Sequence, residues 1–192
     1  MGAIRTVAVI GAGAAGRSIA LGAARAGFRT ILEDILPASL RRAEGEFRNN
    51  LRMEVVAGNL SHGDAHAVLS RLEYASSVEE AARQADLVIE AVPDEWESKS
   101  EIFILLDKIC RPETILATTT STLDVSEIAS VTYRPGKVVG MSFGTGVEIV
   151  RGAATSEETL ADCTAFLTAV GRQAGDEARS VSADINRSLR SG

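Results

Sequence analysis

Three glycines near the start of the chain, Gly11, Gly13 and Gly16, have the spacing of a turn that could hold a phosphate group. Between a strand and a helix, glycines at this spacing allow a sharp reversal, close approach of a phosphate and close helix packing. The helix that follows directs unpaired amides at an anion. The stretch, which includes Ala14 and Ala15, therefore predicts a phosphate-binding turn, with an ordinary tight turn as the alternative.

Two acidic residues, Glu33 and Asp34, follow the next apolar run, roughly 20 residues beyond the glycines. A carboxylate at this place accepts hydrogen bonds from the hydroxyls of an adenosine ribose and repels a 2′-phosphate. We favour Asp34 because it stands at the exit of the predicted strand, residues 28–32. The pattern predicts binding of NAD in preference to NADP, unless Arg29 reaches the 2′ position.

The elements that must position these residues alternate between strand and helix along the chain. Such alternation predicts an α/β fold, a Rossmann-type, doubly wound and mostly parallel sheet in a single domain. Helical periodicity over 37–57 and 65–72 predicts a helical hairpin inserted after the second strand. The predicted strands are residues 6–10, 28–32, 72–75, 85–93, 114–118, 137–141 and 147–150.

The predicted strand 85–93 is apolar throughout and ends in polar residues. In a doubly wound sheet, ligands bind outside the carboxyl ends of the strands. Cofactor neighbours are therefore expected at this end: Glu90, Ala91, Val92 and Asp94. A helix over 95–109 is expected to turn Ile102, Phe103, Leu105 and Leu106 inward.

Composition excludes several classes of partner. A net charge of −6 without a basic cluster argues against nucleic acid, and no apolar run approaches the ~18 residues of a membrane span. Cys110 and Cys163 lie in helical patterns and are expected to be buried structural thiols, which fits a cytoplasmic protein. His62 and His66 have helical spacing but no third ligand, so we expect surface histidines and no metal site.

These segments together resemble the NAD-binding domain of the 3-hydroxyacyl-CoA dehydrogenase family. The family oxidises the 3-hydroxyl of an acyl thioester with NAD. The resemblance implies that Asp34 binds the ribose, that the segment 90–94 contacts the cofactor, and that Lys99 lies near nicotinamide and substrate. The stretches that carry it are 7–16, 34–35, 86–93 with Lys99, 117–123 and 140–152.

The catalytic centre departs from the family pattern. The family's Gly-Leu-His-Phe-Phe-Asn-Pro appears as residues 140–146, with Ser142 in the place of the general-base histidine. A spacer after this stretch is missing, whereas Glu148, which would orient the histidine, remains. The family's Asn-Thr-Ser-Ser loop appears as residues 119–122 and keeps Ser121 for a substrate hydroxyl or carbonyl. The resemblance thus implies an intact cofactor side and a broken catalytic dyad.

The family's domain organisation sets a further expectation. A helical second domain closes the substrate cleft and forms the dimer in the family, and residues 184–189 resemble its start. We expect residues 1–180 to form the NAD-binding domain and residues 181–192 to be a remnant of the second domain or a disordered tail. A homodimer or a protein partner is expected at the surface that a second domain would cover.

Two hypotheses follow. In the first, the chain is a non-catalytic NAD-binding module; in the second, it is an NAD-dependent oxidoreductase on a 3-hydroxyacyl thioester or related hydroxy compound, with Ser121, Ser142, Glu148 or Lys99 in an altered mechanism. An enzyme of another reaction type that holds NAD is a third possibility. Each residue also has a purely structural alternative: Ser121 as the cap of the helix near Asp124, Lys99 as a solvated lysine, Glu148 as a solvent-facing strand residue and Ser142 as a residue without a functional role.

Overall fold

The computed structural model describes residues 4–120, 122–143 and 147–171. Strands and helices alternate along it, with two helices between the second and third strands, as the sequence predicts. The elements are β1 Thr6–Ile10, α1 Ala14–Arg25, β2 Arg29–Glu33, α2 Pro37–Val56, α3 His62–Leu69, β3 Leu72–Ala75, α4 Val78–Ala82, β4 Leu87–Glu90, α5 Trp96–Ile109, β5 Ile115–Thr118, α6 Val125–Ser130, a 3₁₀ turn Pro135–Lys137, β6 Val138–Phe143, β7 Val147–Val150 and α7 over 157–171.

One seven-stranded sheet has the order β3-β2-β1-β4-β5-β6-β7. The first six strands run parallel, and β7 is antiparallel to β6 at the edge. The chain starts at β1 in the middle, builds outward through β2 and β3, and then crosses back to β4. This order confirms the predicted doubly wound fold and creates a switch point between β1 and β4.

Helices cover both faces of the sheet, so alternate residues of each strand enter different cores. On one face, Val7 and Val9 of β1 pack with Phe47 of α2 and Phe166 of α7. On the other face, Ala8 and Ile10 pack with side chains of α4, α5 and α6, including Phe103, Leu106 and Ile128. Burial on both faces explains why the central strands read as continuous apolar runs.

Helix α5 corrects one prediction. Leu105 was expected to face inward, but 39% of its surface is exposed, whereas Lys99, Phe103 and Leu106 are fully buried. These three residues have the i, i+4, i+7 spacing of one helix face, and Leu105 lies beside that face. A lysine therefore occupies a position in the buried stripe of this helix.

The structure shows which residues cap helices α4 and α6 and where the two cysteines lie. Ser77 caps α4, and its side chain accepts a hydrogen bond from the Glu80 amide at 3.3 Å. Helix α6 is capped by Asp124, so the capping alternative for Ser121 is wrong, and Ser121 itself lies outside the described residues. Cys110 and Cys163 are free and buried, and burial raises the pKa of their thiols to about 11 and about 12.

His62 and His66 are exposed on α3, as expected for surface histidines, and within the described ranges no group of three or more potential metal ligands comes together. None of the described helices is long and apolar enough to cross a membrane. The segment 181–192, predicted as a remnant or tail, lies outside the described residues.

Candidate functional site

The carboxyl ends of the central strands lie level with one another and form one edge of the sheet. Ile10 at the end of β1 is in register with Glu33 of β2 on one side and Glu90 of β4 on the other. Glu90 is in turn in register with Thr118 of β5. The predicted cofactor residues follow these strand ends, so they meet around the switch point, where doubly wound folds bind ligands.

The glycine turn has the geometry that its sequence predicts. Gly11 has a φ of +103°, which favours glycine, and an added Cβ would lie 2.9 Å from the Ala91 carbonyl oxygen. A Cβ on Gly16 would lie 1.8 Å from the Gly11 carbonyl oxygen, so only glycine lets α1 pack against the turn. A Cβ on Gly13 would meet no atom within 4 Å. Gly13 thus leaves open space in front of the backbone.

The start of α1 is available to an anion. Gly13 is the N-cap residue and supplies no side-chain hydrogen bond to the helix, and the next two residues, Ala14 and Ala15, are exposed. The first amides of a helix have no partner within it and carry the positive end of its dipole. A phosphate in the space beside Gly13 would meet these amides, which is the chemistry predicted for this turn.

Asp34 lies at the mouth of the glycine turn. Its Oδ2 accepts a hydrogen bond from the Ala12 amide at 3.0 Å, and its Oδ1 accepts one from the Leu36 amide at 2.8 Å. Each carboxylate oxygen has a second lone pair, so both can also accept from ribose hydroxyls. The neighbouring Glu33 is buried instead. Asp34 rather than Glu33 is therefore the accessible carboxylate, as the position in the strand indicates.

Glu90 and Lys99 form a buried ion pair that the sequence did not reveal. Lys99 Nζ donates to Glu90 Oε1 and Oε2 at 2.8 and 2.9 Å, and neither side chain has exposed surface. Thr118 Oγ1 donates to Glu90 Oε2 at 2.8 Å, and the Val92 amide donates to Oε1 at 2.7 Å. The alternative of a solvated Lys99 is wrong. A lysine in the buried stripe of α5 and a glutamate in an apolar strand were the available signals.

The residues that follow β4 form the rim of the crevice. Ala91 and Val92 are half-buried and Asp94 is exposed. Asp94 Oδ2 accepts a hydrogen bond from Thr122 Oγ1 at 3.0 Å, and Asp94 Oδ1 lies 3.9 Å from Lys99 Nζ. The segment after β4 is thus joined to the loop after β5, the loop in which Ser121 stands in the sequence.

Ser142 and Glu148 are brought together by the hairpin of β6 and β7. They are directly opposite in the antiparallel register, so their side chains lie on the same face of the sheet. It is the face from which Glu90 and Thr118 project, because Thr118 is in register with Gly140, two residues before Ser142. Ser142 is half-buried, and Glu148 is exposed, as its solvent-facing alternative predicts.

Comparison with known proteins identifies the family to which this chain belongs. The family model for the 3-hydroxyacyl-CoA dehydrogenase NAD-binding domain matches residues 6–175. The chain belongs to this family. NAD is therefore the cofactor of the domain, in agreement with the glycine turn and Asp34. The NAD-binding assignment and the predicted family membership are confirmed.

Relatives within the 3-hydroxyacyl-CoA dehydrogenase family are longer than this chain. A probable 3-hydroxybutyryl-CoA dehydrogenase of Bacillus subtilis is 38% identical over 177 residues, which is 89% of this chain and 61% of the relative. A 3-hydroxyadipyl-CoA dehydrogenase of Escherichia coli K12 is 34% identical over 88% of this chain and 37% of its own length.

Solved structures of the family show the same fold. The crystal structure of 3-hydroxybutyryl-CoA dehydrogenase from Escherichia coli K12 superposes with a TM-score of 0.84 at 33% identity, covering 88% of this chain and 37% of that chain. The (S)-3-hydroxybutyryl-CoA dehydrogenase of Ralstonia eutropha superposes with a TM-score of 0.84 at 29% identity, covering 88% and 62%. The fold is therefore that of the family.

Proposed function

We propose that this chain binds NAD(H) at the glycine turn and does not by itself oxidise a hydroxyacyl substrate, because Ser142 stands where the family resemblance implies the general-base histidine. One contrast supports the proposal. The cofactor side offers an open phosphate space at Gly13 and an accessible carboxylate at Asp34. The β6–β7 hairpin offers Ser142 opposite Glu148, where the family resemblance implies a histidine and its partner.

Oxidation of a hydroxyl by NAD requires a base to take the hydroxyl proton as the hydride leaves carbon. A serine hydroxyl does not accept a proton at neutral pH as an imidazole does, and a positioned base contributes about 10²–10⁴-fold in rate. The whole sequence has two histidines, His62 and His66, and both lie on α3, which packs on α1 and α2. Neither imidazole belongs to the hairpin of Ser142.

A second function has one observation in its favour. Glu148 is exposed and lies directly opposite Ser142, so its carboxylate could take the proton while the Ser142 hydroxyl holds a substrate oxygen. In that case the chain is an oxidoreductase on a 3-hydroxyacyl thioester or a related hydroxy compound, with Ser121 as a further candidate contact.

Calorimetric titration with NAD, NADH and NADPH tests the cofactor half of the proposal. We expect NAD and NADH to bind the wild-type protein more tightly than NADPH. Asp34→Ala is expected to weaken NADH binding by about 10- to 100-fold, the effect of losing hydrogen bonds to a charged acceptor. Asp64→Ala, which removes an exposed carboxylate on α3, serves as the matched control and should leave binding unchanged.

Absorbance of NADH in the presence of acetoacetyl-CoA tests the reaction half on the same samples. No NADH oxidation above background is expected from wild-type protein that binds NADH. Oxidation that Glu148→Gln abolishes would replace the proposal by the second function. Wild-type protein without affinity for either form of NAD would contradict both functions.

A further inference from the structure

Two hydrogen-bonded links join β4 to β5, one between the ends of the two strands and one between the loops that follow them. The inner link runs from Thr118 Oγ1 to Glu90 Oε2 at 2.8 Å, and the outer link runs from Thr122 Oγ1 to Asp94 Oδ2 at 3.0 Å. Lys99 lies between them, with its Nζ at 2.8 and 2.9 Å from the Glu90 oxygens and 3.9 Å from Asp94 Oδ1. We name these five residues the loop tie.

The inner part of the loop tie is a fully satisfied buried network. Glu90, Lys99 and Thr118 have no exposed surface, and no buried side-chain oxygen or nitrogen of the described residues lacks a hydrogen-bond partner. A buried ion pair contributes little net stability, since desolvation offsets the attraction between its charges. A fully connected network of this kind does, however, fix one local geometry. Its physical effect is to hold the two loops in place.

A dinucleotide bound at the glycine turn would place one of its halves over the loop tie. Asp34, the ribose carboxylate, follows β2, and the glycine turn follows β1. The sheet order is β2-β1-β4-β5, so a dinucleotide with its adenosine half beside β2 extends across the switch point toward β4 and β5. The residues of the loop tie belong to the ends of β4 and β5, to the loops that follow these strands and to α5. The adenosine half lies away from them.

We propose that the loop tie positions the rim of the crevice for the nicotinamide half of NAD(H), with Glu90, Lys99 and Thr118 as positioning residues. The buried residues act through the backbone of the loops: Glu90 accepts from the Val92 amide, and Thr118 leads directly into residues 119–122. This inference rests on the proposed function, because it presupposes that NAD(H) binds here.

The test compares a whole cofactor with its adenosine half. Thr118→Val and Thr122→Val each remove one donor of the loop tie without leaving a buried charge unpaired. Dissociation constants for NADH and for ADP are measured by titration. We expect the NADH constant to rise about fivefold to tenfold in both variants, the effect of one lost hydrogen bond, while the ADP constant stays within about twofold of wild type.

Two further variants separate positioning from a general effect on structure. Thr118→Ser keeps the hydroxyl donor and is expected to bind NADH as the wild type does. Thr164→Val removes the exposed hydroxyl on α7 that donates to the Leu160 carbonyl at 2.7 Å, and it should change neither constant.

The outcomes distinguish this inference from the proposed function. Thr118→Val and Thr122→Val proteins that bind NADH as tightly as the wild type overturn the loop tie alone. Parallel loss of NADH and ADP binding also overturns it, since that result indicates a general distortion. Wild-type protein that binds no NADH overturns the proposed function and the loop tie with it.

Discussion

The carboxyl group of Glu33 is buried beside another acidic residue, which disfavours its negatively charged form. It ends β2, next to Asp34, and 5% of its surface is exposed. Burial, and after it the neighbouring charge of Asp34, raise the pKa of Glu33 from 4.5 to about 7, although a hydrogen bond from the Gly11 amide acts in the opposite direction. The group is therefore protonated in the folded protein at a pH where the unfolded chain has lost the proton.

The sign of the effect on stability follows from proton linkage. Between pH 4.5 and about 7 the folded state binds more protons at Glu33 than the unfolded state does. The contribution of Glu33 to stability is therefore fully present below pH 4.5 and is lost as the pH rises through about 7. The difference of about 2.5 pKa units corresponds to about 3 kcal/mol, at about 1.36 kcal/mol per unit.

Glu33→Gln has the shape of the protonated side chain and does not titrate. The free energy of unfolding of the variant minus that of the wild type is expected to increase by about 2 to 3 kcal/mol when the pH is raised from 5 to 8. Urea unfolding followed by circular dichroism at the two pH values measures this gain. Glu101→Gln, a change at an exposed glutamate of α5, is the matched control and should show no such gain. Equal effects of Glu33→Gln at both pH values would refute the argument.

Two pairs of substitutions test the glycine turn and the core. Gly16→Ala should destabilise the protein by more than about 2 kcal/mol in thermal unfolding, because its Cβ would overlap the Gly11 carbonyl, whereas Gly13→Ala should leave stability within about 1 kcal/mol and weaken NADH binding in calorimetry. Phe103→Ala should cost about 3–5 kcal/mol in urea unfolding, against less than about 1 kcal/mol for the half-exposed Leu105→Ala. Equal losses within either pair would contradict the packing described.

The sheet and the cofactor side were predictable because each depends on local sequence. The run before Gly11 is apolar at every position that β1 buries, and β1 has the predicted bounds. Gly11 is required by its positive φ and Gly16 by its approach to the Gly11 carbonyl, both within the turn itself, and Asp34 follows the end of the next strand. Strand ends were less accurate: β4 was expected over 85–93 and spans Leu87–Glu90. The side chain of Asp86 accepts from the Arg5 and Thr6 amides before β4 begins, a contact that the strand pattern does not contain.

The Glu90–Lys99 pair was not predictable from periodicity. A lysine on a helix is solvated by default, since burial of an unpaired charge costs several kcal/mol. The exception arises here because β4 and β5 are adjacent and in register, which brings Thr118 to Glu90, and because α5 packs Lys99 over the same strand end. That neighbourhood is a property of the sheet order. Neither Glu90 nor Lys99 alone indicates a buried ion pair in the sequence; only the two residues taken together do.

The sheet order also explains how the cofactor side can stay intact when the reaction side changes. The glycine turn and Asp34 belong to β1 and β2, in the interior of the sheet, whereas Glu148 belongs to β7, which is an edge strand paired with β6 alone. Ser142 and Glu148 lie opposite each other in that hairpin, and β1 lies three strands from β6. A serine in place of a histidine at position 142 would therefore remove a proton acceptor without altering a contact of the phosphate turn. Binding of NAD(H) and loss of the base are compatible within one fold, as the proposed function requires.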